Sequence, residues 1–307
     1  MGEEEIIATL SHYSKIKEKF GESWILKNPE HPIYLHLKNS EVSFNEIDKL
    51  FDNCKKSKKG AEMLVNILKI EKKVKHQAYL NHLNKCLMVL EQYINKKTIQ
   101  DLKNLPQFYK TISELELAEI FYREGYTDLE LNPNIGNGKL DLKIRLDKRD
   151  IFFEVTTPDV YPGLDGKNYA QKVPDRAVDK FTEELTQCSN LFGKSPIVIC
   201  INITESDITK DEVEDSVKEE IDEIFLDPKK GPINIGRVKA ESQVMKEDKN
   251  SLFISGVMAL ERELTNKKYY FYHIVKGELY PISSSKLPLT NKEQDIINNI
   301  LPKITSH

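Results

Sequence analysis

Several residue types that mark particular protein classes are scarce in this chain. Its 307 residues include only four cysteines, which lie far apart and form no C-x-x-C pair. This spacing excludes a disulfide scaffold and a zinc ribbon. The longest apolar run, near residues 197–201, is far too short to span a bilayer. The first residues are acidic where a signal peptide would be basic, so we expect a cytoplasmic protein without a membrane partner.

Arginine is also scarce, with six residues in the chain and none before Arg123. Lysine is more frequent, and residues 51–110 contain 13 lysines against five acidic residues. A lysine-rich surface can face a polyanion, but arginine makes the planar, bidentate contacts that are typical of phosphate recognition. Taken alone, the charge pattern therefore favours a solvated helical surface over a nucleic-acid interface.

Signatures of several enzyme classes are missing. The sequence contains neither a glycine-rich phosphate loop ending in Lys-Ser/Thr nor a G-x-S-x-G elbow. The seven histidines are dispersed, and the spacing of His76 and His82 differs from the i, i+4 spacing of helical zinc ligands. We interpret the histidines as isolated surface or boundary residues.

Hydrophobic spacing predicts an all-α N-terminal domain over residues 1–110. Leucines at positions 80, 83, 87 and 90 recur at helical spacing. Between the first predicted helices, residues 33–37 favour an extended piece bounded by Pro29 and Pro32. The segment 104–107 is the best candidate for the domain boundary.

The pattern then changes to alternating helices and strands, which predicts an α/β domain over residues 111–307. Capping boxes at Ser113-x-x-Glu116 and Thr290-x-x-Glu293 predict two helix starts. A continuous β-branched run over 195–203 predicts a strand that is buried on both faces. Three shorter strands are predicted at 127–131, 139–146 and 151–156.

The last two of these strands flank a polar turn and predict a hairpin. Symmetric closure about residues 148 and 149 pairs Asp141 with Thr156 and Lys143 with Glu154. Side chains two apart on a strand share a face, so all four would project from one side. A slip of one residue would instead separate the two acids.

Paired carboxylates a few ångströms apart suit Mg²⁺, which binds one or two carboxylates and keeps several waters. The bound ion can activate a water molecule and stabilise a leaving group in phosphoryl chemistry. The alternative is a simple surface ion pair between Lys143 and Glu154, which contributes under about 1 kcal/mol.

The order of these elements resembles that of the PD-(D/E)xK nuclease superfamily, which has the restriction-endonuclease-like fold. The matching segments are the helix 113–126, the strand Gly138–Leu142 and the strand Phe153–Thr156, within a core of about residues 111–205. The resemblance implies a mixed-sheet restriction-endonuclease-like core preceded by the all-α domain. It also implies Mg²⁺-dependent cleavage of nucleic acid, most often DNA, bound through its phosphates, with Mn²⁺ able to substitute and a homodimer possible.

The resemblance also implies roles for individual residues. Asp141, Glu154 and the carbonyl of Val155 would bind the metal, and Glu114 would be the helix glutamate. The chain departs from the family pattern in having Leu140 before the aspartate.

A second departure is Thr156, which occupies the position of the motif lysine. Lys143 is the best replacement because it shares the face of both acids, and Lys180 and Lys172 are the next candidates. The alternative is a catalytically degenerate nuclease-fold module that binds nucleic acid or protein.

Overall fold

The computed structural model of the chain describes residues 2–40, 60–134, 140–156, 194–204, 254–267, 270–283 and 285–304, together with residues 210, 214, 220–221, 225–227, 231–233 and 238–239. The chain divides into two compact units. Unit 1 comprises residues 1–119 and 262–274, and unit 2 comprises residues 120–261 and 275–307. Among the described helices, none combines the length and apolar character that a bilayer span requires.

Unit 1 is mainly helical, which confirms the prediction of N-terminal helices. Its helices are α1 (Glu3–Leu10), α2 (Ser14–Phe20), α3 (Glu22–Lys27), α4 (Pro32–Asn39), α5 (Gly60–Val89), α6 (Lys96–Lys103) and the greater part of α7 (Leu105–Arg123). The predicted leucine stripe at 80, 83, 87 and 90 is fully buried in the core of this unit.

Two local predictions in this region are wrong. Residues 33–37 lie within α4 and are not extended, because Pro32 occupies the first turn, where a missing N–H is tolerated. Ser113 does not cap a helix, because α7 already begins at Leu105 and continues through residue 110. The Ser113 hydroxyl donates to the Tyr109 carbonyl one turn earlier.

Unit 2 contains most of a six-stranded mixed sheet with the order β1-β2-β3-β4-β9-β10. The strands are β1 (Leu129–Leu131), β2 (Leu142–Leu146), β3 (Arg149–Thr156), β4 (Ile197–Asn202), β9 (Gly256–Lys267) and β10 (Tyr270–Pro281). Four short strands, β5 (Glu220–Ile221), β6 (Phe225–Asp227), β7 (Gly231–Ile233) and β8 (Val238–Lys239), pair separately as β5-β8 and β6-β7. The distal parts of β9 and β10, residues 262–267 and 270–274, belong to unit 1.

Strand directions change across this sheet. β1, β2 and β3 pair antiparallel, whereas β3, β4 and β9 pair parallel. Every residue of β4 is buried, as the continuous β-branched run predicted. The mixed α/β class is therefore confirmed.

The β2–β3 hairpin forms, but its predicted register is wrong by two residues. Leu146 pairs with Arg149, so the turn consists of Asp147 and Lys148. Asp147 adopts a φ of 56°, a left-handed conformation that aspartate tolerates better than most residues. Because the side-chain period of a strand is two, this shift changes every partner but leaves each side chain on its predicted face.

The C-terminal helix α8 (Asn291–Ile300) begins at the predicted capping box. The Thr290 side chain accepts the Glu293 N–H, and the Glu293 carboxylate accepts the Thr290 N–H. Glu293 also receives the Arg149 guanidinium from β3, with 2.8 Å between Nε and Oε1 and a second contact from Nη2 to Oε2. This pair ties the turn end of the hairpin to α8.

Candidate metal centre

The inner end of β3 is buried on both faces. All side chains from Ile151 to Thr156 are buried, although Glu154 and Thr156 are polar. The apolar face includes Phe153, whose ring centroid lies 5.4 Å from that of Phe121 near the end of α7. Glu154 is 1% exposed, so a potentially charged group lies inside the fold on the opposite face.

Asp141 lies immediately before β2 and is held against β3. Its Oδ2 accepts the Val155 N–H at 2.8 Å, and its carbonyl accepts the Asn132 N–H at 2.8 Å. The paired residues begin at Leu142 and Phe153, so a continuation of this register by one residue would place Asp141 opposite Glu154 and not opposite the predicted partner Thr156.

The carbonyl of Val155 lies on the same edge of β3 as Asp141. Phe152 donates its N–H to the Pro196 carbonyl at 3.0 Å, so the peptide groups of even-numbered β3 residues face β4. Peptide groups alternate between the two edges of a strand, so those of Val155 face the β2 side. The bond from the Val155 N–H to Asp141 agrees with this alternation.

The two carboxylates act on one buried thiol. Cys200 pairs with Val155 in the parallel β3–β4 ladder and is fully buried. Burial raises the pKa of Cys200 well above its usual value, and the charges of Asp141 and Glu154 raise it further. The Cys200 side chain projects from the Val155 face of the sheet, because paired residues of neighbouring strands share a face.

This donor set fits Mg²⁺. It offers two carboxylates and one backbone carbonyl, all oxygen donors, and waters and a phosphate could complete an octahedron. Within the described ranges, no group of three or more histidine, cysteine or acidic side chains is arranged to hold a metal.

The lysine candidates differ in their surroundings. Lys143 pairs with Phe152 and not with Glu154 as predicted, although it remains on the Glu154 side of the hairpin. Its ammonium lies 2.6 Å from the Glu130 carboxylate of β1. Lys180 and Lys172 lie outside the described residues. Thr156 is buried at the end of β3 and carries no charge.

The predicted helix glutamate belongs to the other unit. Glu114 lies on α7 within unit 1 and is buried, whereas Asp141 and Glu154 lie in unit 2. Of the predicted site residues that the structure describes, unit 2 thus contains Asp141, Lys143, Glu154, Val155 and Thr156, whereas Glu114 lies in unit 1.

Unit 1 contains a second polar cluster, which the sequence did not predict. His36, His76, His82 and His273 converge there, so the interpretation of these four histidines as isolated residues is wrong. A signal was present in α5, where His76, Tyr79, His82 and Cys86 recur at intervals of three or four residues and so share a helix face. The contributions from α4 and β10 come from distant parts of the chain.

The two acids and the Val155 carbonyl of unit 2 are oxygen donors, the ligand type that hard divalent cations take. The cluster in unit 1 offers imidazoles and a guanidinium, which suit a different kind of ligand. Comparison of the chain with protein-family models, curated proteins and solved structures found no match.

Proposed function

We propose that this protein is a Mg²⁺-dependent nuclease that cleaves phosphodiester bonds in nucleic acid, with DNA as the expected substrate. The observation that carries the proposal is the 2.8 Å hydrogen bond that holds the buried Asp141 carboxylate on the Val155 N–H, next in the chain to the buried Glu154. The element order gives further support. A helix, a strand, an acidic hairpin and a buried strand follow one another, as the resemblance to the PD-(D/E)xK superfamily implies.

Each residue of the site has a distinct part in this proposal. Asp141 and Glu154 would bind Mg²⁺, with the Val155 carbonyl as a third oxygen donor. The Val155 N–H orients the Asp141 carboxylate through their 2.8 Å hydrogen bond. When bound, Mg²⁺ supplies a Lewis acid that polarises a phosphate oxygen and lowers the pKa of a coordinated water. Lys143 would supply positive charge for the phosphorane-like transition state in place of the lysine missing at position 156.

Calorimetric titration with Mn²⁺ tests the metal site. We expect uptake of about one equivalent by the parent chain and none by Asp141→Asn or Glu154→Gln, because each substitution removes a charged ligand. Glu130→Gln is the matched control, since it also neutralises a hairpin-region carboxylate but one that is half-exposed and bound to Lys143. Unchanged uptake in Asp141→Asn and Glu154→Gln would refute the metal site.

Cleavage of plasmid and single-stranded DNA in Mg²⁺ tests the role of Lys143. We expect Lys143→Met to lower the cleavage rate without changing Mn²⁺ uptake. Glu130→Gln should retain or increase the rate, because it releases the ammonium from its 2.6 Å ion pair. Equal rates in the parent and Lys143→Met would remove Lys143 from the mechanism, whereas full cleavage by Asp141→Asn would refute the nuclease itself.

A specific observation favours the second candidate, a degenerate nuclease-fold module that binds nucleic acid without cutting it. Thr156 is buried where the family has a lysine, and the nearest described replacement is engaged with Glu130. Such a module would bind a labelled DNA duplex without metal, and its affinity would fall steeply with salt. Binding of this kind, combined with no Mn²⁺ uptake and no cleavage, would select this candidate over the nuclease.

A further inference from the structure

A cluster of imidazoles in unit 1 stands apart from the two-carboxylate site. His76 Nδ1 lies 2.9 Å from His36 Nδ1. The His36 ring stacks on Tyr79, with 4.0 Å between centroids and 4° between planes. The His273 ring contacts Tyr79 edge-on at 6.1 Å and approaches His82 at 5.9 Å. Segments from α4, α5 and β10 therefore bring four histidines around one tyrosine.

A buried charged trio adjoins these rings. Arg262 donates to both oxygens of Glu116, with 2.6 Å from Nε to Oε1 and 3.2 Å from Nη2 to Oε2. His82 Nε2 lies 2.9 Å from the same Oε1. Burial opposes the charge of Glu116, but Arg262 and His82 outweigh it and lower the pKa of this carboxyl to about 2. Burial likewise opposes the charge of His82, but its contacts with Cys86 and Glu116 raise the pKa of the ring above its usual value.

Cations near the trio act on two of the neighbouring rings. Burial lowers the pKa of His36 and of His273 to about 3, and Arg262 and Lys75 add to the effect on both rings. Both imidazoles are therefore neutral at pH 7. An anion placed among them would be stabilised by these nearby cations and by the ring N–H donors.

Two other uses of the cluster fit the geometry less well. Cys86 Sγ and Glu116 both approach the same atom, His82 Nε2, at 3.9 and 2.9 Å. A nucleophile–histidine–acid relay needs the two ring nitrogens to face different partners, so this is not such a triad. A divalent metal on the His36–His76 pair would be repelled by Arg262 and by protonated His82.

We propose that the histidine cluster of unit 1, formed by His36, His76 and His273 with Arg262 and Lys75, binds a phosphate group and takes up protons as it does so. The phosphate could belong to a terminal monoester or to an internal diester. The charged and titratable groups around the site are His36 on α4; Lys75, His76, Tyr79, His82 and Cys86 on α5; Glu116 on α7; Arg262 on β9; and His273 on β10. The proposal does not depend on the metal centre, which lies in unit 2.

The contact between His36 and His76 limits the number of protons. A hydrogen bond between two Nδ1 atoms needs one N–H donor and one bare acceptor, so the two rings cannot both become cations without losing it. The pair can gain one proton, at Nε2 of the donor ring, and His273 can gain another. We therefore expect uptake of about one to two protons for each phosphate bound near neutral pH.

Histidine NMR on the full chain tests this proposal directly. The seven Cε1–H signals are followed while inorganic phosphate is added, with sodium chloride at matched ionic strength as the reference. We expect phosphate to move the His36 and His273 signals and to raise the pKa of both rings. Calorimetry in buffers of different ionisation enthalpy then measures proton uptake. If phosphate moves no histidine signal beyond the chloride reference, the proposal is refuted.

Single substitutions test whether phosphate binds at this histidine cluster. His273→Gln should weaken phosphate binding about tenfold, because it removes one charge-assisted hydrogen bond. The matched control is His12→Gln, an exposed histidine of the same unit, which should bind as the parent does. Lys75→Met changes an exposed residue that should not affect folding, and it should weaken binding about threefold. Equal weakening by His12→Gln and His273→Gln would overturn the proposal.

Two further experiments identify the source of the phosphate and test whether phosphate binding is independent of the metal centre. A nucleoside 5′-monophosphate offers a terminal monoester, and a dinucleoside monophosphate offers only an internal diester. The ligand that moves the His36 and His273 signals identifies the source, and movement by neither refutes a nucleotide-derived phosphate. Asp141→Asn should abolish Mn²⁺ uptake and leave phosphate binding intact, so that a failed metal centre and a failed phosphate site give different results.

Discussion

The ion pair between Arg149 and Glu293 offers a sharp test of how the acidic hairpin is held in unit 2. The Glu293 side chain is 2% exposed, whereas that of Arg149 is 35% exposed. Removal of one partner from a fully buried pair destabilises a protein by about 3–5 kcal/mol. Glu293 keeps the Thr290 N–H at 2.7 Å, so we expect Arg149→Met to destabilise unit 2 by about 2–3 kcal/mol.

Substitution of the other partner, Glu293, should reduce the stability of unit 2 less. Glu293→Gln preserves the capping box, because glutamine also serves at that position. The exposed part of Arg149 can be hydrated, and its Nη2 still donates to the Pro288 carbonyl at 3.1 Å. We therefore expect a loss of about 1 kcal/mol. The double variant should be more stable than the sum of the two losses predicts, by about 1 kcal/mol or more.

The pH dependence gives a second signature. Burial opposes ionisation of Glu293, but Arg149 and Thr290 outweigh it and lower the pKa of this carboxyl below 4.5. In the parent, the pair therefore contributes stability above pH 4.5, and the contribution is lost as the pH falls. Without Arg149, burial would raise the pKa of Glu293, so the deficit of Arg149→Met should be largest near neutral pH and shrink toward pH 5.

Urea unfolding followed by circular dichroism measures these losses across both units. Fluorescence of Trp24, the only tryptophan, reports on unit 1, in which neither Arg149 nor Glu293 lies. Equal losses in Arg149→Met and Glu293→Gln, or a deficit that grows toward pH 5, would refute the reasoning.

Three further predictions concern other parts of the fold. Glu116→Gln should destabilise unit 1 by about 3–5 kcal/mol in urea unfolding followed by Trp24 fluorescence, because it leaves the buried Arg262 and His82 without their counter-charge; a loss below about 1 kcal/mol would contradict this. The stability of unit 1 should fall below pH 6.5, by up to about 1.4 kcal/mol per pH unit for each of His36 and His273, because their pKa values of about 3 keep them neutral in the fold while the unfolded rings protonate. It should also fall as the pH rises above about 6.5, because the unfolded His82 ring then loses its proton while the folded ring, with its raised pKa, keeps it. A profile without a maximum near neutral pH would contradict these assignments. Gly277→Ala should lower the melting temperature and reduce the free energy of unfolding by about 1–3 kcal/mol, because a Cβ there would lie 2.6 Å from Leu301 Cδ1. Leu301→Ala should relieve part of that strain. An unchanged melting temperature in Gly277→Ala would contradict the close contact.

Local signals in the sequence predicted much of the framework. Strand β4 followed from its β-branched run, and the start of α8 followed from the Thr290 capping box, because each depends on neighbouring residues. The grouping of Asp141 with Glu154 was robust to the register error, since a shift of two residues preserves the face of every side chain. Turn geometry itself was harder to predict, because the positive φ of Asp147 depends on a conformation that several residue types can adopt.

Contacts between distant segments could not be predicted in the same way. Ser113 and Glu116 form an ideal capping box in sequence, yet the helix begins earlier and Glu116 pairs with Arg262 instead. The histidine cluster combines residues whose separation in the chain exceeds 200 positions, such as His36 and His273. No periodicity in the sequence indicates that such distant residues lie in one cluster, because tertiary packing brings them together.

The division of the chain into two units has a consequence for how such a protein could be rebuilt. The chain passes between the units three times, within α7, β9 and β10. A fragment that ends at Glu119 would keep Glu116 but lose Arg262, its buried counter-ion, together with His273. Neither unit is a single continuous length of chain, so a chimaera cannot replace one unit through a single junction. Replacement of unit 1 requires residues 1–119 and 262–274 to be exchanged together.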